Sequence, residues 1–138
     1  MKKILPIIFI LLAFTSCSND DDKANPVIGS WKLVKTRNHV FATAEDPNKE
    51  TITDYLDKNI VYTFDGMSNL TININGQKEQ HQYEYKLDYL SGGPTVGESK
   101  IQLVIIDGSK WTYSVSPQGE MILGKSYVDG SDLFFVKQ

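Results

Sequence analysis

The chain has 138 residues, 41% apolar and 11% aromatic, with 14 basic and 17 acidic side chains and a formal charge of −3. That length suffices for one domain with a real core. The mild acidity and the lack of a basic cluster argue against nucleic acid as a partner, and a single cysteine rules out an intramolecular disulfide.

Met1-Lys2-Lys3 opens the chain with positive charge, and Ile4 to Phe14 is then almost wholly apolar (ILPIIFILLAF). As a helix this run would span about 16 Å, against a hydrocarbon core of about 30 Å. It is too short for a membrane span and suits the apolar region of a secretory signal. Thr15 and Ser16 lead into Cys17, and Ser18 to Pro26 (SNDDDKANP) has no apolar periodicity and reads as a solvated linker.

Phe14-Thr15-Ser16-Cys17 resembles the lipobox of bacterial lipoproteins, with Phe14 in place of the usual leucine and Ser16 in place of the commoner glycine or alanine. The resemblance implies a signal peptide over 1–16, cleavage between Ser16 and Cys17, and attachment of palmitate-like acyl chains to Cys17. The membrane is then a partner through those chains. One chain binds only reversibly, at about 0.8 kcal/mol per buried methylene, so a stable anchor takes two or more. Residues 17–27 become the lipidated cysteine and an acidic tether. Loss of Lys2 and Lys3 leaves 12 basic against 17 acidic residues, a charge of −5. Asp20-Asp21-Asp22 resembles the acidic export signal of Bacteroidota-type lipoproteins, which implies an outer-membrane protein exposed at the cell surface. A periplasm-facing placement is the second choice.

From residue 28 strand-like runs alternate with turn signals. Ile28 to Arg37 alternates around Trp31 and Leu33, and a polar insertion over 38–58 follows. Within it Pro47 to Asp57 has Ile52, Tyr55 and Leu56 at helical spacing behind an N-terminal proline, which allows a short helix. Ile60–Phe64, Leu70–Ile74, Gln82–Leu87, Lys100–Ile106, Trp111–Val115, Met121–Leu123 and Leu133–Lys137 complete eight strands. Asn75-Gly76 is a strong hairpin signal because that turn needs positive φ. Short connections preclude parallel crossovers, so the predicted fold is all-β, an eight-stranded antiparallel up-and-down barrel over 28–138.

Gly29-Ser30-Trp31 at the first strand is similar to the Gly-x-Trp signature of lipocalins, and Phe135-Val136-Lys137 resembles their closing segment. Tyr62-Thr63-Phe64-Asp65-Gly66 resembles a second-strand segment of lipocalin-like Bacteroidota lipoproteins. The resemblance implies structural roles for Gly29, Trp31 and Lys137, with the basic residue packed over the tryptophan; Lys137 stands where arginine is usual.

Little in the body points to catalysis. His39 and His81 lie apart in polar stretches and read as solvated, no zinc or calcium pattern is present, and no nucleophile motif occurs. No catalytic residue, metal or cofactor is expected, and the protein does not read as an enzyme. One strand face carries Trp31, Leu33, Tyr62, Phe64, Leu70, Ile72, Ile74, Tyr83, Tyr85, Leu87, Ile101, Leu103, Ile105, Trp111, Tyr113, Val115, Leu133 and Phe135, which should converge inside. A barrel of eight strands is just wide enough to be filled by side chains or to hold one small ligand. Two functions remain open. One is a binding module for a small, partly apolar ligand lined by Tyr62, Phe64, Tyr83, Tyr85, Trp111 and Tyr113. The other is a filled barrel acting as a non-catalytic subunit of an envelope complex, using the 38–58 insertion and the 91–98 loop as contacts with an envelope protein.

Overall fold

The computed structural model describes residues 24–39 and 49–138. The segment expected to be a signal peptide, with Ser16, Cys17, the aspartates at 20–22 and most of the expected tether, lies outside the described residues. Among the described residues there are nine strands: β1 Gly29–His39, β2 Glu50–Asp54, β3 Ile60–Phe64, β4 Asn69–Ile74, β5 Gln77–Asp88, β6 Ile101–Ile106, β7 Ser109–Val115, β8 Met121–Gly124 and β9 Asp132–Lys137. All pairings are antiparallel, and β1 joins both β3 and β9. Eight strands therefore close into a barrel and β2 is an addition to β1. Among the described residues no helix is long and apolar enough to cross a membrane.

The eight expected strands are all there. The expected short helix is not: Glu50–Asp54 is a strand pairing with Lys35–His39 of β1. Three β-branched residues, Thr51, Ile52 and Thr53, favour the extended chain, and the tip of β1 offers the partner. Along its other edge β1 pairs with β3 through Gly29–Lys32 and with β2 through Lys35–His39, and its ladder with β9 has a bulge between Leu33 and Lys35. The freed Val34 carbonyl accepts the Tyr55 N–H at 2.8 Å, bridging the gap between β2 and β3.

Turn chemistry follows the sequence. Asn75 and Gly76 have φ of 52° and 95°, and the hairpin joins β4 to β5 in register. The strands are strongly staggered. β5 pairs with β4 through Gln77–Gln82 and with β6 through Tyr83–Asp88. It therefore serves as a corner of the barrel.

Leu33, Phe64, Leu70, Tyr83, Val104, Met121, Leu123 and Phe135 fill the middle, each at most 5% exposed. On β6 the inward residues are Val104 and Ile106, which oppose Tyr85 and Tyr83. Ile101, Leu103 and Ile105 face outward, contrary to the sequence reading, because that run is apolar on both faces. Leu103 is nonetheless fully buried outside the barrel wall.

Gly124 fixes the spacing of β7, β8 and β9. A Cβ there would clash with Thr112 Oγ1 and lie 3.1 Å from Asp132 Oδ1. Asp132 ties the loop between β8 and β9. It accepts the Lys125 and Ser126 N–H groups at 3.0 and 3.1 Å and the Arg37 guanidinium at 2.9 Å. Burial pushes its carboxyl pKa up, but these bonds outweigh burial and hold it below the usual carboxylate value. Its stabilising contribution is thus present at neutral pH and lost as pH falls through the carboxylate range. Gly124→Ala is expected to cost about 1–3 kcal/mol through overpacking, read as a lower denaturant midpoint at unchanged slope.

Candidate functional site

The two ends of the barrel differ. The lower end is where β1 begins and β9 finishes. There Val27, fully buried, accepts the Trp31 Nε1–H on its carbonyl at 2.7 Å. Lys137 Nζ lies 5.4 Å from the centre of the Trp31 ring, the packing expected for the closing basic residue. Gly29 has φ +130°, and a Cβ there would sit 3.4 Å from Lys137 Cε, so glycine suits both the backbone and the packed lysine. Tyr83 donates its hydroxyl to the Asp65 carbonyl at 2.6 Å and accepts from Asn25 Nδ2 at 3.3 Å. That satisfies the polar end of a buried ring.

The upper end is partly open. Tyr62, Ile72, Ile106, Trp111 and Leu133 pack on the core but keep part of their surface accessible to water. Glu79 opposes Ile72 and His81 opposes Leu70, so both point to the inner face. His81 Nδ1 is 2.6 Å from Asp107 Oδ2, and its Nε2 is 3.6 Å from Glu79 and makes no hydrogen bond. On the β7 and β8 side, Lys125 Nζ lies 4.4 Å from the Trp111 ring centre and donates to Ser109 Oγ at 2.7 Å. Burial, then the charge of Glu79, raises the Tyr62 pKa, so its hydroxyl stays protonated. The mouth has an apolar floor and a rim of both charge signs. Such a surface can hold a small molecule with an apolar body and a polar end.

The six residues expected to line one pocket are divided. Tyr62 and Trp111 share the upper mouth. Phe64 and Tyr83 are 1% and 3% exposed and stack edge-on with ring centres 4.9 Å apart in the filled middle. Tyr85 and Tyr113 meet edge-on at 5.3 Å in the lower half. Sequence reasoning missed Glu79, His81, Asp107 and Lys125. The signal for two of them was present: Glu79 and His81 share the period-two face of Tyr83 and Tyr85 once β5 is extended back to Gln77.

The histidines are not freely solvated. His39 lies 3.6 Å from Glu50 and 3.5 Å from Asp132, and His81 sits between two carboxylates. The bond to Asp107 is the main cause raising the His81 pKa above 6.5, against a smaller opposing effect of burial. Its contribution to stability is full below the unfolded value and is lost as pH rises through the raised one. An imidazole NMR titration should give a midpoint above that of a free histidine, and Asp107→Asn should lower it.

Among the described residues, three hollows on the outer wall stand out. One of about 470 Å³ is lined by Asn59, Val61, Thr63, Thr71, Asn73, Lys78 and Gln138. One of about 280 Å³ lies where β4 and β6 part along β5. The third, about 160 Å³, is formed by Lys35, Arg37, Glu50, Ile52 and Phe134. There Phe134 lies under Lys35 Nζ and the Arg37 guanidinium, 4.8 and 5.3 Å from its ring centre. The 91–98 loop is ordered by Glu98, which accepts from Ser91 and Thr95; these bonds lower its pKa to about 2.

No family model matches the sequence, and no curated protein or solved structure matches it either.

Proposed function

We propose that this is a lipid-anchored outer-membrane lipoprotein, surface-exposed, whose lipocalin-like barrel takes a small, partly apolar ligand in its upper mouth. The observation that carries the binding reading is the group of water-accessible inward residues Tyr62, Ile72, Ile106, Trp111 and Leu133 above a filled middle. The filled middle limits the ligand to the upper end and makes binding shallow. The anchor reading rests on Phe14-Thr15-Ser16-Cys17 after an apolar run, and the surface reading on Asp20-Asp21-Asp22. Its role is binding rather than catalysis.

A second reading, a non-catalytic subunit of an envelope complex, is favoured by the outer groove over Phe134. Ile52 beside it is 63% exposed, and an apolar side chain from a partner could bury it.

Titration with a panel of amphiphiles, followed by tryptophan fluorescence, tests the first reading. Saturable quenching that disappears in Trp111→Ala, while Trp31 still reports a folded core, is the expected result. An absence of saturable binding across the panel would rule it out.

A further inference from the structure

We propose that the lower rim of the barrel rests on the lipid bilayer and so points the upper mouth away from the membrane; this rests on the anchor reading of Cys17. Strand β1 begins at the lower end, so the tether enters there. From Cys17 to Val27 is ten residues (27 − 17), an extended reach of roughly 35 Å. That is long enough for the barrel to roll on its tether, so orientation needs a second contact.

The lower rim offers one. Leu87 and Val115 occupy inward positions of β5 and β7, yet each is 54% exposed because the barrel wall ends there. Two residues back on each strand stand Tyr85 and Tyr113, half-buried, with ring centres 5.3 Å apart. Side chains two apart on a strand share a face, so the four form one continuous patch at the end where the tether enters. Aliphatic tips backed by tyrosines suit the boundary between acyl chains and headgroups, where an aromatic ring buries its body and keeps its hydroxyl wet. The tether keeps this patch close to the bilayer. Ligand would then reach the mouth from the aqueous side.

The full lipidated protein, in phosphatidylethanolamine–phosphatidylglycerol vesicles carrying a spin-labelled lipid quencher, tests this. A fluorophore is placed on Val115→Cys or Leu87→Cys at the lower rim, or on Leu56→Cys at the upper turn. Acylated Cys17 leaves each variant one free thiol. Quenching several-fold stronger at the two lower positions than at Leu56→Cys is expected, and Lys substitution at the other rim residue should abolish the difference. Equal quenching at both ends on vesicle-bound protein would overturn the orientation and leave the anchor intact. Lower-rim fluorescence that responds to protein density and not to quencher would mean that two copies pair there instead, which also overturns it. Protein that fails to bind vesicles and carries two free thiols would overturn the anchor reading itself.

Discussion

Cys17→Ala is expected to move the protein wholly from the membrane fraction to the soluble fraction. Among the described residues the barrel has no helix able to span a bilayer, and the lower rim exposes only part of Leu87 and Val115, at 54% each. Contacts of that size can orient a tethered domain but cannot hold a free one. One acyl chain gives an association constant of only about 10⁴ M⁻¹, and further chains on the same cysteine multiply it. Loss of the attachment point removes them all at once. Fractionation of cells expressing the two forms is the measurement; a Cys17→Ala protein that stays with the membrane would refute the lipid anchor.

Phe135→Ala should give the largest loss of stability in the folded body. Phe135 is fully buried, opposes Leu33 on one side and Met121 on the other, and stacks on Tyr62 with ring centres 4.9 Å apart. Removing a buried ring costs about 3–5 kcal/mol, part transfer and part cavity. Domains of this size are held by roughly 5–15 kcal/mol in all, so the melting temperature should fall by roughly 10–20 °C. A chemical denaturation series would show it as a shifted midpoint. A loss under about 1 kcal/mol would mean that the middle of the barrel is not packed as described.

The barrel was readable from the sequence because its strands obey simple rules. Tyr62 and Phe64, Leu70 and Ile72, and Tyr83 and Tyr85 alternate with polar neighbours, and Asn75-Gly76 supplies the turn chemistry a tight hairpin requires. Gly29 and Trp31 stood out as a pair, and the packing of Lys137 over Trp31 gives that pair a physical reason. Strand β2 was not readable, since every residue of Glu50–Asp54 is exposed. A strand with no buried face leaves no alternation to find, and only its pairing with β1 defines it. The facing of Ile101–Ile106 was hidden for the opposite reason. A run apolar on both faces has no phase, and the register with β5 sets it. The mouth was obscured by its own polarity: His81 read as solvated and Glu79 fell outside the expected strand, whereas the stagger of β5 places both on the inner face beside Leu70 and Ile72. Tyr85 and Tyr113 were correctly placed inside, but the same stagger sets them lower in the barrel than Trp111.

The upper mouth, and not the outer wall, is the proposed binding site. Backbone and methyl NMR shifts, followed while a quenching amphiphile is titrated to saturation, distinguish the two. Perturbations gathered on Ile72, Ile106, Trp111 and Leu133 are expected, with Arg37, Ile52 and Phe134 unmoved. Shifts confined to those three outer residues, with the mouth silent, would contradict it.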